Sequence, residues 1–486
     1  MNELTSTFPS IPNSWVLTDL GTIATFSQGI QVPKPNQITA SRKGFIRFLR
    51  IVDYTKENED VRFIEFPGDR YCVESNDLVM IRYGSAGKIC RGYDGAIANN
   101  LFKINLKLDE LNKSYFFYFL QSSLATPFLE GRSKATTMAA VNFSVVSKVP
   151  IPLPNNKEQE KIVTKLEELF TKLDVSVAEL KKAKAQIKRY RQSVLKSAFE
   201  GKLTEKWRSE RQEVRGETAE ELLAKIKNER KKALCNKYKA GTEQSRSELP
   251  LVETTNLQPL PEGWVWTCLG DIITVSSGNG LTSSNMKSDG RYAVYGGNGI
   301  SGYYDKYMFE EQKLIIGRVG AKCGVVHITE PNSWVTDNAL IVELNSLDMK
   351  FMFYLIHVLN LNQHSVSTAQ PVISGAKIYP IINPLPPLKE QQQIVSEIER
   401  HFSVADETEK IIDQSLKQAE RLRQSILKDA FSGKLVPQDP NDPPASLLLE
   451  KIKAEKEKLA KEPKTKKSNR RTGRKVVGED KAEREK

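Results

Sequence analysis

The chain has 486 residues, 27% of them charged and 39% hydrophobic, and a net charge of +12. It contains no run of 18 apolar residues and no basic-then-apolar leader, which excludes a spanning segment and points to the cytoplasm. Such a length predicts two or three domains, and the cationic excess points to nucleic acid.

Half of that excess lies in residues 463–486, with ten Lys/Arg against four Asp/Glu. Residues 1–154 carry 17 against 14, and residues 257–387 carry 8 against 10. If these regions bind DNA, a partner is expected to supply much of the phosphate-neutralising charge. The five cysteines (Cys72, Cys90, Cys235, Cys268, Cys323) form no CxxC pair and read as reduced structural thiols. Four scattered histidines form no metal constellation.

In chain order, segments 45–52, 78–82 and 101–106 predict strands from their β-branched and aromatic content, and 115–124 predicts a short helix. After Pro152-Leu153-Pro154 no Gly or Pro occurs until Gly201. Ile162, Leu166, Leu169, Leu173, Val177, Leu180, Ile187, Tyr190, Val194 and Ala198 fall at steps near three and four, so they form one helical stripe. About 46 residues at ~1.5 Å each give a rod of roughly 70 Å. Residues 218–232 predict a shorter helix, and 234–259 a polar linker closed by prolines. A second mixed α/β region follows, with strands at 314–318, 324–328 and 340–344 and a helix at 351–359. A second rod begins at Pro384-Leu385-Pro386 and ends at Gly433. Its stripe is Ile394, Ile398, Phe402, Ala405, Ile412, Leu416, Ala419, Leu422, Ile426 and Ala430. Residues 445–458 predict another short helix, and the Lys/Arg-rich end, without aromatics, predicts disorder.

The chain repeats itself. An offset of 232 superimposes residues 152–203 on 384–435 without a gap, with 23 identities in 52 positions. Identities cluster at 158–170 and 186–203 and vanish at 175–185. At an offset of 249, Trp15, Leu20, Gly21, Ile23, Thr25, Ser27 and Gly29 return as Trp264, Leu269, Gly270, Ile272, Thr274, Ser276 and Gly278. The order is head, rod, head, rod. A narrow stripe on a long rod seeks another rod, so the two are expected to pair antiparallel, with a head near each end and a pseudo-two-fold axis.

The doubled Pro-Leu-Pro followed by Glu158-Gln159 and Glu390-Gln391, with the run 189–196 leading to Gly201-Lys202-Leu203-Thr204-Glu205-Lys206-Trp207-Arg208, resembles the specificity subunit of type I restriction-modification systems. The resemblance covers nearly the whole chain except the basic tail. It implies an α/β fold with two target recognition domains (1–154 and 257–387) and two long spacer helices (155–203 and 388–435) pairing as an antiparallel coiled coil. A short helix and linker (204–256), a further short helix (436–460) and a basic tail (461–486) complete the division. The implied function is to bind double-stranded DNA at a bipartite, asymmetric target, one half-site per domain. The implied partners are two methyltransferase subunits and restriction subunits, with no membrane. The chain itself is expected to be non-catalytic and to hold no cofactor or metal; S-adenosylmethionine, ATP and Mg are expected only in the partner subunits. The alternative is a coiled-coil scaffold that binds only proteins, for which the low charge of residues 257–387 speaks.

Loops carrying Arg, Lys, Asn, Gln, Ser, Thr or Tyr can reach base edges and phosphates. The candidates are Arg82, Tyr83, Ser85, Lys88, Arg132, Lys134, Thr136 and Thr137 in the first head. In the second they are Tyr295, Asn298, Arg318, Lys322, Ser367, Thr368 and Gln370. Residues common to both heads (Arg82/Arg318, Gly84/Gly320, Asn100/Asn338) are expected to hold the fold or grip phosphate, because two different half-sites need different readers. Trp15 and Trp264, in matched apolar strands, are expected in the core rather than as base-stacking platforms. The candidates for partner docking are Glu158, Gln159, Arg191, Lys196, Glu390, Gln391, Arg423 and Lys428. Their doubling is equally explained by contacts with the heads. Asp442-Pro443-Pro444-Ala445 lacks the aromatic residue that an adenine methyltransferase motif would stack on a flipped base. Gly84-Ser85-Ala86-Gly87-Lys88 is too short for a phosphate-binding P-loop.

Overall fold

The computed structural model describes residues 10–56, 59–130, 140–210, 216–239, 257–320, 322–364 and 371–461. These form two compact units. One comprises Met1–Ala178 with Leu416–Lys486, the other Glu179–Ser415. Each unit therefore contains one head and a portion of both rods.

In the first unit, β1 (Val16–Asp19) pairs antiparallel with β10 (Pro150–Leu153), joining the start and end of the head. Between them run β2 (Ala24–Gln28), β3 (Phe45–Leu49), β4 (Arg62–Glu65), β5 (Cys72–Val73), β6 (Leu78–Ile81), β7 (Ile89–Cys90), β8 (Gly95–Ile97) and β9 (Leu101–Leu106). They form two four-stranded sheets, ordered β2-β9-β6-β7 and β4-β3-β8-β5. The unbroken apolar run of β6 is explained by its place between two cores. Leu78 and Met80 enter the main core, while Val79 and Ile81 enter a second one with Leu49, Val73 and Ile97. The two-residue period of a strand sends alternate side chains to opposite faces. The strand expected over 45–52 stops at Leu49, and Ile51–Thr55 is a helical turn whose start is closed by Asp53 Oδ2 accepting from the Arg50 amide at 2.8 Å. The helix Lys113–Leu120 is capped by Asn112, whose side chain accepts from the Ser114 and Tyr115 amides.

The second unit repeats the plan. β11 (Val265–Cys268) pairs with β19 (Ile382–Leu385). β12 (Ile273–Ser277), β13 (Tyr292–Gly296), β14 (Gly299–Tyr304), β15 (Leu314–Gly317), β16 (Val326–Ile328), β17 (Trp334–Val335) and β18 (Ala339–Leu344) form sheets ordered β12-β18-β15-β16 and β14-β13-β17. Again the central strand divides its side chains. Leu314 and Ile316 face one core, and Ile315 faces another with Tyr295, Val335 and Ile341.

The rods are Asn156–Phe199 and Leu388–Phe431, 44 residues each. They pair antiparallel within each unit. In the second, Lys184 meets Asp413 at 2.6 Å and Arg191 meets Asp406 and Glu409 at 2.5 and 2.8 Å. In the first, Arg423 pairs with Asp174. The rod ends are aromatic wedges. Phe431 packs edge-on against Tyr115 and Phe119 in the first unit, and Phe199 packs on Phe351 in the second. Most stripe positions are buried or half-buried, but Tyr190 and Leu422 are not: Tyr190 turns out to hydrogen-bond His401 Nδ1 at 2.6 Å. Val163, Phe170, Leu195 and Leu427, off the expected stripe, fill the cores instead. The helix Ala219–Lys239 buries Leu222 and Ile226 in the second unit. Its counterpart Ala445–Lys461 buries Leu448 and Ile452 in the first. Among the described residues no helix is long and apolar enough to cross a membrane.

Candidate nucleic-acid interface

Each head presents one loop held by the same set of backbone bonds. After β6 the Arg82 amide donates to the Asn100 carbonyl at 2.9 Å, and the Arg82 carbonyl accepts from Val141 at 3.0 Å. After β15 the Arg318 amide donates to Asn338 at 2.9 Å, and its carbonyl accepts from Ile373 at 2.9 Å. Gly84 and Gly320 sit at φ +78° and +86°, and Gly87 and Gly324 at +85° and +84°. A side chain would strain these left-handed turns, so the paired glycines belong to the loop's shape. The residues common to both heads thus set the backbone of the loop.

The side chains that this frame displays differ. Tyr83, Ser85 and Lys88 are exposed in the first head, and Lys322 in the second. Arg82 lies half-buried with its guanidinium 5.1 Å from the centre of the Tyr83 ring. Arg318 donates to Ser277 Oγ at 3.4 Å. Asn298 is exposed at the β13–β14 turn. Tyr295 is not available as a reader: it is 5% exposed, packs in the second core, and its hydroxyl accepts from the Glu330 amide at 3.0 Å. It belongs to a strand whose inward face its neighbours share, a fact that loop-like glycines nearby disguise. Arg132, Lys134, Thr136, Thr137, Ser367, Thr368 and Gln370 lie outside the described residues. Trp15 and Trp264 are core residues, 5% and 6% exposed.

The doubled Glu-Gln pairs are latches between rod and head. Gln159 donates to the Pro154 carbonyl at 3.0 Å and accepts from the Asn112 amide at 3.1 Å. Gln391 donates to Pro386 at 3.0 Å and accepts from the Asp348 amide at 3.1 Å. Each glutamine thereby ties the rod to the cap of its head's helix. Glu390 accepts from Thr204 Oγ1 (2.7 Å), Arg208 Nη1 (2.5 Å) and Trp264 Nε1 (2.8 Å). Glu158 accepts from Gln438 at 2.5 Å. The Trp15 indole N–H pulls on the same carboxyl without reaching good hydrogen-bond geometry. Burial pushes the Glu158 carboxyl up, against the pull of Trp15 and Gln438. As Glu158, Gln159, Glu390 and Gln391 are at most 4% exposed, they are not offered to a partner. Arg191 and Arg423 are engaged in ion pairs between the rods. Lys196 and Lys428 remain exposed on them.

Sequence reasoning missed a cleft in the first head that gathers Arg47, Tyr54, Lys56, Arg91 and Tyr93 around Lys88. These residues come from β3, the helical turn after it, and the chain leaving β7, so no local pattern announces them. Among the described residues no group of three His, Cys, Asp or Glu is placed to hold a metal.

Comparison with known proteins gives one family. The model for the type I restriction modification DNA specificity domain matches twice, over residues 12–187 and 261–418. The chain is 26% identical to the type I restriction enzyme EcoBI specificity subunit of Escherichia coli, over 92% of this chain and 93% of that one. It is 25% identical to the EcoKI specificity subunit of Escherichia coli (strain K12), over 92% and 96%. A chain in a solved structure of a type I R-M system shares the fold, with a TM-score of 0.61 and 17% identity over 87% of this chain and 99% of that one. With two matched domains, each carrying the same loop frame and the same rod latch, the chain belongs to the type I restriction modification DNA specificity family.

Proposed function

We propose that this chain is the specificity subunit of a type I restriction-modification complex, which reads a bipartite, asymmetric DNA target with one half-site per head. The observation that carries the reading is the loop frame. Two heads hold a loop by matching backbone bonds, yet display Tyr83 and Ser85 on one and Lys322 on the other. A shared frame with unlike side chains suits two readers of unlike sequences, because base edges are told apart by the donors and acceptors that reach them. Family membership, and near full-length similarity to named specificity subunits, support the same reading.

On this reading the chain carries no chemistry of its own. Two methyltransferase subunits and the restriction subunits supply it, together with S-adenosylmethionine, ATP and Mg. The test is single-molecule methylome sequencing of cells expressing the chain with its modification subunit, beside cells expressing the modification subunit alone. Adenine methylation at a split asymmetric motif, dependent on this chain, is the expected result. A complex that forms but methylates no defined motif would overturn it and favour a protein-only scaffold.

A further inference from the structure

The cleft in the first head, about 630 Å³, meets the loop only at Lys88 and shares no residue with the latch. Its lining carries four cations, Arg47, Lys56, Lys88 and Arg91, against one carboxylate, Asp53. That carboxylate is already engaged: its side chain is fully buried, bonded to the Arg50 amide and Nε at 2.8 and 3.2 Å, and 3.9 Å from Arg47. The two arginines lie against aromatic rings. Arg47 lies 4.4 Å over the Tyr93 ring. Arg91 lies 4.1 Å over Phe117 and donates to Ser114 Oγ at 2.7 Å. Lys56 and Lys88 are exposed and make no ion pair with the described residues. The Tyr54 hydroxyl and Arg47 Nε are buried without a hydrogen-bond partner among the described residues. Burial holds the Tyr54 hydroxyl protonated, so it remains a donor.

Two ammonium groups with no ion pair to the described residues, guanidinium and aromatic walls and a buried donor suit a strand phosphate with its sugar, since lysine meets phosphate as a flexible point charge. The second head does not repeat this chemistry. In the matched strand pairs Val79 faces Cys90 and Ile315 faces His327. That register puts Val325 and Ile328 where the first head has Lys88 and Arg91. The whole-region charges agree, +3 for residues 1–154 and −2 for residues 257–387.

We propose that this cleft is a sequence-independent grip for the phosphates of a DNA strand, and that it makes the first head the electrostatic anchor of the pair. The proposal rests on the DNA-reading function above. The test uses the chain assembled with its modification subunits. Binding to a duplex carrying the mapped target and to a duplex without it is followed from low to high salt. Lys56→Ala/Lys88→Ala is compared with Lys34→Ala/Lys148→Ala, which removes two exposed cations of the same head away from the cleft. Each phosphate contact contributes roughly one to the slope of log affinity against log salt. The cleft variant should therefore lose about two from the slope and, at 0.1 M salt, on the order of tenfold or more in affinity for both duplexes. Its methylated motif should be unchanged, and the control should bind as the original does. An unchanged slope in the cleft variant, with target preference intact, overturns the grip alone. Absence of target preference in the unaltered complex overturns the specificity reading instead. An equal loss in the control reduces the effect to net charge, and a changed motif makes the cleft a base reader; either result overturns the proposal. So does ATP without duplex shielding Lys88 from lysine acylation while duplex does not, which would identify a free nucleotide as the occupant.

Discussion

Replacing Glu390 by alanine tests how the rod is held to its head. The carboxylate is 3% exposed and accepts three hydrogen bonds. Its removal strands the Trp264 indole N–H and the Thr204 hydroxyl, 6% and 1% exposed, at about 1–3 kcal/mol for each buried donor left unpaired. Arg208 adds less, because its side chain is 20% exposed and water screens part of the lost pairing. The expected loss is about 3–5 kcal/mol, the range found when one partner of a buried pair is deleted. The twin Glu158→Ala should cost only about 1 kcal/mol. Its hydrogen-bond donor is Gln438, an exposed amide that water can satisfy, and Trp15 Nε1 already lacks a hydrogen bond of good geometry. Hydrogen exchange read by peptide, through a urea series, separates the units. Glu390→Ala should lower the opening free energy of Glu179–Ser415 and leave Met1–Ala178 near its original value. A double-mutant cycle with Arg208→Ala should show coupling, the double costing less than the sum. Equal losses from Glu390→Ala and Glu158→Ala, or additivity with Arg208→Ala, would refute the asymmetry argued from these contacts.

Three further outcomes are expected. Gly201 and Gly433, both at φ +72°, face Pro261 and Pro12 so closely that an added Cβ would lie 2.2 Å from a proline Cγ. Alanine at either should cost at least about 1–3 kcal/mol, read as a lower melting transition, and the two losses should match. Asp77 is pushed up by burial, but the Glu74 amide, Lys103 and Lys113 outweigh this and hold it below the usual carboxylate value. A depressed folded pKa stabilises above the unfolded value and is lost as pH falls through the folded one. Asp77→Asn should therefore destabilise the first head at neutral pH and remove part of its acid sensitivity below about pH 4, seen by following Tm against pH. Tyr295→Phe should cost about 1 kcal/mol, the loss of one hydrogen bond from the Glu330 amide, while the methylated motif stays the same; a changed motif would return Tyr295 to the readers.

The architecture was legible in the order of residues because its signals are local or repeated. A helix needs only an apolar step near 3.6 and the absence of Gly and Pro, and both rods satisfy this between fixed Pro-Leu-Pro and Gly-Lys-Leu boundaries. Self-similarity between residues 152–203 and 384–435 then requires two like units, whatever their details. Strands β9 and β18 could be placed for a similar reason, since their β-branched and aromatic runs are bounded by turn residues. Comparing the two copies also separated frame from display, because Arg82/Arg318 and Asn100/Asn338 recur where the backbone bonds recur.

Contacts between distant segments were beyond such signals. Glu158 and Glu390 are polar residues at helix starts, and nothing local distinguishes an exposed first turn from one buried against Trp264, Thr204 and Arg208. Tyr295 looked like a loop tyrosine beside glycines until the pairing of β13 with β17 sent it inward. Lys88 could be named from the sequence, but its companions Arg47, Tyr54, Arg91 and Tyr93 come together only when β3 lies beside β8 and β7 beside β6. Periodicity is a property of neighbours along the chain, so the sequence by itself determined the repeat, the rods and the family. Burial and convergence depend on which surfaces meet, so only the tertiary structure decided which of the matched polar residues latch the fold and which face outward.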